Sequence, residues 1–236
     1  MRSNTYTIGF TLVVTTVLAF FLSISNSALS ERQELNIRID IKKNILQSLE
    51  FYETKEEPWT LEIVQDIFNT YITSIVVDKD GNLIADKTAE QISDFENEFP
   101  IFIKKIKGKV DGYSIPISGK GLWSTLYGYF AIEPDLMTAK GITFYKHKET
   151  PGLGGEVEKP WFQSNFKGKQ FIDSSGVLIG IQSIKGIVDE TSSEAYHQVD
   201  GISGATMTTR GLNKFLLKDL IKYESYFNRV RNQGDA

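Results

Sequence analysis

Between Tyr6 and Ser27 the chain carries no charged residue, and Ile8 to Ile24 is mostly Ile, Leu, Val, Phe and Thr. As an α-helix this run of about 22 residues reaches roughly 33 Å, enough to cross a hydrocarbon core about 30 Å thick. A cleaved signal peptide is the competing reading, since Ser25, Asn26 and Ser27 offer small residues at cleavage-like spacing. An uncleaved anchor is favoured, because the run is longer than a signal core and continues without a break into a polar helical pattern. With so short an N-terminal tail, either reading exports the remainder. The positive-charge rule gives no orientation, with Arg2 before the helix and Arg32, Arg38, Lys42 and Lys43 after it.

The 236 residues allow one substantial domain and an appendage, or at most two small domains. With 30 acidic against 26 basic residues and no Lys/Arg block, a nucleic-acid partner has no electrostatic support. The absence of cysteine excludes disulfides, iron–sulfur ligation and thiol catalysis. Zinc would have only His147 and His197 beside carboxylates, which suit it poorly. A cofactor here has to be organic.

Along the chain, residues 29–52 read as a helix with Leu35, Ile39, Ile45 and Leu49 as apolar contacts. Pro58 and Trp59 break it, and Leu61 to Tyr71 gives a second amphipathic helix through Val64, Ile67 and Phe68. Thr73–Val77 and Asn82–Ala85 flank Asp80-Gly81 and predict a hairpin. Ala89–Glu98 reads as a solvated helix or loop, and Phe99–Ile117 as short strands separated by Lys107-Gly108 and Asp111-Gly112. Gly141–Tyr145 and Val177–Ile181 read as strands, Trp161–Gln170 as a short helix, and Asn228–Ala236 as a frayed tail. With no internal repeat and no low-complexity linker, the predicted fold class is α+β: a single transmembrane helix, then one domain with a twisted antiparallel sheet flanked by helices. The divisions are an anchor over 1–28, a juxtamembrane helical stalk over 29–57 and the domain over 58–236.

Asp200-Gly201-Ile202-Ser203-Gly204-Ala205-Thr206 joins this sheet-like region to one long helix. Gly204 and Ala205 remove side-chain bulk at a turn, while Ser203, Thr206, Thr208 and Thr209 set hydroxyls around outward-pointing backbone N–H groups. That is an arrangement for phosphate. Leu212, Phe215, Leu216, Leu220, Tyr223 and Phe227 fall on one helical face, with Thr208 or Thr209 available as N-cap, so the positive dipole end lies at the turn. An ordinary Ser/Gly/Thr turn capping a terminal helix would use the same residues without a ligand.

Two further stretches stand out. Gly119–Ile132 contains flat apolar faces; Leu122 and Trp123 suit a ring system, whereas Tyr127, Tyr129 and Phe130 suit the core. His147–Glu156 holds three glycines and a proline within five residues, a defined loop of the kind that carries binding function. Lys185 is able to neutralise a phosphate, or is an exposed strand-end lysine; His147 reads as structural or surface. No nucleophile–histidine pair and no dinucleotide fingerprint occurs.

The turn resembles the flavinylation motif of the FMN-binding domain family, in which a flavin transferase joins FMN to the last threonine through a phosphoester. The resemblance implies attachment at Thr206; Thr208 and Thr209 carry the same hydroxyl, and only the position after Gly204-Ala205 selects Thr206. The Gly119-x-Gly121-Leu122-Trp123 run, Ile39–Leu46 and Glu149-Thr150-Pro151-Gly152-Leu153-Gly154 resemble the NqrC family, flavin subunits of the sodium-translocating NADH:quinone reductase. That family implies Glu149, Thr150, Leu153 and Gly154 beside the isoalloxazine ring, with Glu149 accepting from flavin N–H groups or orienting a neighbour, and Leu153 excluding water from one ring face. Leu122 and Trp123 would join the ring contacts, and Ser203, Gly204 and Ala205 the phosphate side. It further implies a covalent FMN subunit of an ion-translocating NADH:ubiquinone reductase, relaying electrons in a bacterial inner membrane with its domain on the periplasmic side. Its partners would be the other subunits and the flavin transferase. The G-type flavoprotein of the Rnf ferredoxin:NAD complex is the alternative, and a redox sensor or flavin-free scaffold the readings from other classes.

Overall fold

In the computed structural model, which describes residues 3–94 and 96–233, the first helix, α1, runs Asn4–Ser48. The chain divides into two compact units, Met1–Asp40 and Ile41–Ala236. In the first unit, Asn4–Ser30 has a mean hydropathy of 2.2 and is long and apolar enough to cross a membrane. Its threonines fit an apolar solvent: the Thr15 hydroxyl donates to the Thr11 carbonyl at 2.8 Å and so needs no water.

The second unit takes in the last turns of α1. Ile45, Leu46 and Leu49, which the sequence assigns to a stalk, are buried there. Helix α2 (Leu61–Tyr71) begins where the sequence predicts, with Thr60 Oγ1 accepting the Ile63 N–H at 3.3 Å as N-cap. Five strands follow: β1 (Ile72–Val77), β2 (Phe99–Ile106), β3 (Lys109–Lys120), β4 (Thr125–Ile132) and β5 (Ala139–Lys146). They form an antiparallel sheet in sequence order. The later elements are α3 (Pro160–Ser164), a parallel pair β6 (Gln182–Ser183) and β7 (Gln198–Val199), and α4 (Thr206–Gln233).

Alternation along the strands sorts the side chains onto two faces. Ile103, Tyr113 and Ile132 lie in register on one face, as do Ile115, Phe130 and Ile142, and α4 packs there through Leu212, Phe215, Leu216, Leu220, Tyr223 and Phe227. Edge-on ring contacts Phe99–Tyr223 and Tyr113–Phe227 fix the contact. The opposite face, with Phe102, Ser114 and Thr143, meets α2 and the last turns of α1. There Phe68 packs on Phe102, Ser48 bonds Ser114 at 2.8 Å, and the Thr143 hydroxyl donates to the Asn44 carbonyl.

The C-terminal end of α1 is held by cations. Lys104 donates to the Leu49 carbonyl at 2.8 Å and pairs with Asp111 at 2.9 Å, while Lys140 pairs with Glu133 at 2.9 Å. Positive charge at a helix C-terminus is favourable, and here it stands inside the fold. Burial would push Asp111 up, yet Lys104 and Lys140 together hold its carboxyl below the usual range.

Several expectations are corrected. The Asn82–Ala85 strand does not form: Leu83 makes one isolated bridge to Val77, and the strand partner of β1 is β2. Asn82 is instead bound by Asp78 and by Arg229 of α4. Asp111 and Gly112 lie inside β3 rather than between strands. Ala89–Glu98, by contrast, is the solvated loop that the sequence allows, with one short 3-10 turn at Ala89–Gln91; Phe95 lies outside the described residues. Helix α3 stops at Ser164, well short of Gln170. Val177–Ile181 is no strand, because Gly180 turns the chain at φ 76° and the N–H groups of Ile179 and Gly180 both go to the Phe171 carbonyl. Thr208 and Thr209 are not N-caps, since α4 begins at Thr206. Nor is 228–233 frayed: α4 continues to Gln233, and residues 234–236 lie outside the described residues.

Leu216, fully buried between α4 and the sheet, predicts that Leu216→Ala lowers unfolding stability by about 2–5 kcal/mol. Urea denaturation followed by circular dichroism measures it; a loss under about 1 kcal/mol would contradict this packing.

Candidate functional site

Three segments meet at the start of α4: the β3–β4 turn at 121–124, the loop 149–155 after β5, and the 200–206 turn. What joins them is the carboxylate of Glu149. Its Oε1 accepts the N–H groups of Trp123 and Ser124, each at 2.9 Å, and the Ser124 hydroxyl at 3.4 Å. Its Oε2 accepts the Leu122 N–H at 3.3 Å and the Thr208 hydroxyl at 2.8 Å. Burial would raise this acid, but donors from Ser124, Thr208, Trp123 and Leu122 outweigh it and hold the carboxyl below its ordinary value.

The loop around Glu149 is built locally. The Thr150 carbonyl accepts the N–H groups of Leu153 and Gly155 at 3.1 and 3.0 Å, closing Pro151–Gly154 into a tight turn. Gly154 passes directly against the clasp: a Cβ there would stand 2.5 Å from Thr208 Oγ1 and 2.7 Å from Glu149 Oε2. Leu153 reaches the 200–206 turn, where a Cβ on Gly204 would meet its Cδ2 at 2.7 Å.

The three threonines that the sequence leaves as chemical equals are separated by burial. Thr208 is 1 % exposed with its hydroxyl on Glu149, and Thr209 is 3 % exposed with its hydroxyl on the Thr206 carbonyl at 3.2 Å. Thr206, first residue of α4, is half-buried, and among the described residues no hydrogen bond occupies its hydroxyl. Beside it the backbone N–H groups of Thr206, Met207 and Thr208 have no acceptor among the described residues, the usual condition of a helix start. Ala205 is buried under this turn, while Ser203 and Gly204 are exposed.

The segments gathered at the start of α4 carry exposed apolar side chains. Leu122 and Leu153 are each 42 % exposed, Met207 54 % and Trp123 69 %. Such apolar exposure next to a phosphate-type helix start fits an amphipathic ligand with one flat apolar body and one anionic end. Thr150 is exposed on the same loop. Lys185 is exposed on a turn tied to the motif, where the Gly201 N–H donates to the Gly186 carbonyl and Asp200 Oδ1 accepts the Val188 N–H, both at 2.8 Å. His147 is structural in part: its Nδ1 accepts the Glu149 N–H and its Nε2 faces Glu158, both at 3.2 Å. Tyr129 and Phe130 lie in the core as the sequence predicts; Tyr127 is 37 % exposed.

The partnership of Thr208 with Glu149 is the feature that sequence reasoning missed. A signal was present, since Thr208 and Leu212 are four residues apart and so share the buried face of α4.

The profile of the FMN-binding domain family matches residues 121–220, the span from the β3–β4 turn into α4. The NqrC subunit of the Na(+)-translocating NADH-quinone reductase from Pseudomonas aeruginosa is 35% identical, over 91% of this chain and 90% of that protein. The same subunit from Vibrio anguillarum is 31% identical over 99% of both. A crystal structure of this subunit from Parabacteroides distasonis superposes with a TM-score of 0.71 at 28% identity, covering 84% of this chain and 96% of that one. NqrC of Shewanella oneidensis superposes with a TM-score of 0.70, also at 28% identity, over 82% and 97%.

Gly154→Ala is predicted to push apart Thr208 and Glu149, at a cost of about 1–3 kcal/mol. A lowered urea midpoint with an unchanged slope is the expected result, and an unchanged midpoint would show that the three segments are not locked together.

Proposed function

The chain belongs to the NqrC family, subunits of the Na(+)-translocating NADH-quinone reductase, and from that premise we propose that Thr206 carries FMN through a phosphoester bond on its hydroxyl oxygen. The protein is a membrane-anchored flavin subunit of that multisubunit NADH:quinone oxidoreductase, with Asn4–Ser30 as the anchor. These relatives favour the quinone reductase over the Rnf-type reading. Bound here, FMN supplies reversible uptake and release of electrons, and the chain supplies position, burial and field.

The observation that carries the attachment is the separation of the three hydroxyls. Thr206 alone combines access, an uncommitted oxygen and a neighbouring row of free N–H groups able to receive phosphate oxygens. Ser203 and Gly204 add exposed backbone to the same side, with Ala205 packed beneath, and Lys185 offers positive charge on the adjoining turn. Leu122, Trp123 and Leu153 form the apolar side against which the ring would lie, with Thr150 exposed at its edge and Gly154 buried behind it against the clasp. In the attachment the Thr206 oxygen forms the new bond to phosphorus and gives up its proton, while the bond from phosphorus to the donor's leaving group breaks with its electron pair. No side chain among the described residues accepts a hydrogen bond from that hydroxyl, which supports an external flavin transferase as the source of the base. A domain on the periplasmic side of an inner membrane belongs to the same reading, because a covalent bond retains a cofactor that is not readily replaced outside the cytoplasm.

Intact mass and peptide mapping of the full chain, made in a host that supplies the transferase, test the reading. An FMN-sized increment on the peptide containing Thr206, lost in Thr206→Ala, is the expected result. An increment retained in that variant moves the attachment elsewhere, and no increment in the wild type leaves a flavin-free scaffold.

A further inference from the structure

We infer that Glu149 is a positioning residue rather than a flavin contact: its buried negative charge clasps the Leu122–Ser124 turn to the first turn of α4 and sets a fixed field behind the ring site. The inference rests on the proposed flavin site. Five donors of the protein itself converge on the two carboxylate oxygens: three backbone N–H groups and the hydroxyls of Ser124 and Thr208. A carboxylate so occupied has little acceptor capacity left for a ligand's N–H. The space behind it is closed as well. A Cβ on Gly121 would stand 2.7 Å from Oε1, and one on Gly154 would stand 2.7 Å from Oε2.

Two consequences follow from charge and placement. The turn bearing Leu122 and Trp123 has its N–H groups directed inward onto Glu149, so its exposed side chains are held without help from a ligand. Hydrogen bonds to an ionised group are worth more than neutral ones, and several on one acceptor make the turn rigid. A buried negative charge also opposes the arrival of further negative charge nearby, so it lowers the reduction potential of a redox group held at this site. Among the groups packed on Glu149, His147 is the titratable neighbour, accepting the Glu149 N–H with Nδ1, while its Nε2 faces Glu158. From α4 the group that faces it is the neutral Thr208 hydroxyl.

The test uses the full chain in detergent, first made without the transferase, comparing wild type, Glu149→Gln and Thr208→Val. Amide hydrogen exchange at Leu122, Trp123 and Ser124 is read as protection relative to intrinsic rates. Glu149→Gln is expected to reduce that protection about tenfold or more. Thr208→Val, which removes one donor and keeps the shape, should reduce it less and serves if the first variant fails to fold. Because the folded carboxyl lies below its ordinary value of 4.5, the clasp is fully present above that value and is lost as pH falls through the lower folded one. Wild type should therefore lose protection at these amides with acid, and Glu149→Gln should not. In chains loaded by the transferase, Glu149→Gln should raise the flavin midpoint potential with the Thr206 peptide still modified. Unchanged protection at 122–124 in both variants overturns the clasp, as does an equal loss at every amide. An unchanged potential overturns the field. A wild-type chain that takes up no FMN defeats the attachment reading alone, and the exchange data still decide the clasp.

Discussion

Helix α4 lies against a strand that outruns its neighbour. The ladder between β2 and β3 ends at Phe102–Ser114, so the second half of β3 is paired on one side only, with β4. A backbone donor left there inside the protein would be costly. Asp219 of α4 meets it, accepting the Ser118 N–H at 2.7 Å while Lys222 bonds its other oxygen at 2.6 Å. Burial dominates this acid and raises it despite those two partners, which leaves a polar lock of high specificity in the middle of an apolar contact. With Asp219 fixed on Ser118 and the stripe from Leu212 to Phe227 in the core, the helix has one register. Its first turn then has to emerge where β3 ends and the 121–124 turn begins.

The elements legible in the sequence are those whose periodicity matches their burial. The α4 stripe is readable because all six of its named residues are buried, and α2 because Val64 and Phe68 recur at helical spacing on a capped segment. The Asn82–Ala85 stretch misleads because Leu83 is apolar yet 61 % exposed, and because Asp80-Gly81 makes a good turn whether or not a second strand follows. Val177–Ile181 misleads for a related reason. A run of apolar residues states burial and not shape, and a single glycine in a left-handed conformation is enough to bend it away from a ladder.

At the site, spacing finds the segments and does not find their connections. The 119–123, 149–154 and 200–206 stretches are each identifiable on composition, but which side chain joins them depends on contacts between residues 25 to 59 positions apart. Glu149 is readable as a ligand contact or as an orienting group, and only the number of donors around it separates the two. The same holds for the threonines: three hydroxyls within four residues are equal as text, and burial makes them unequal.

The closure of Glu149 by donors of its own chain bears on the order of events in biogenesis. No bond in the clasp waits for a ligand, and the single uncommitted hydroxyl of the group stands at the surface, at the start of a helix whose remaining turns are anchored in the core. Folding can therefore run to completion on an empty chain, and under the proposed attachment a modifying enzyme would meet a finished surface instead of a nascent strand. On that reading cofactor supply would set how many subunits carry electrons, and not how many reach the folded state.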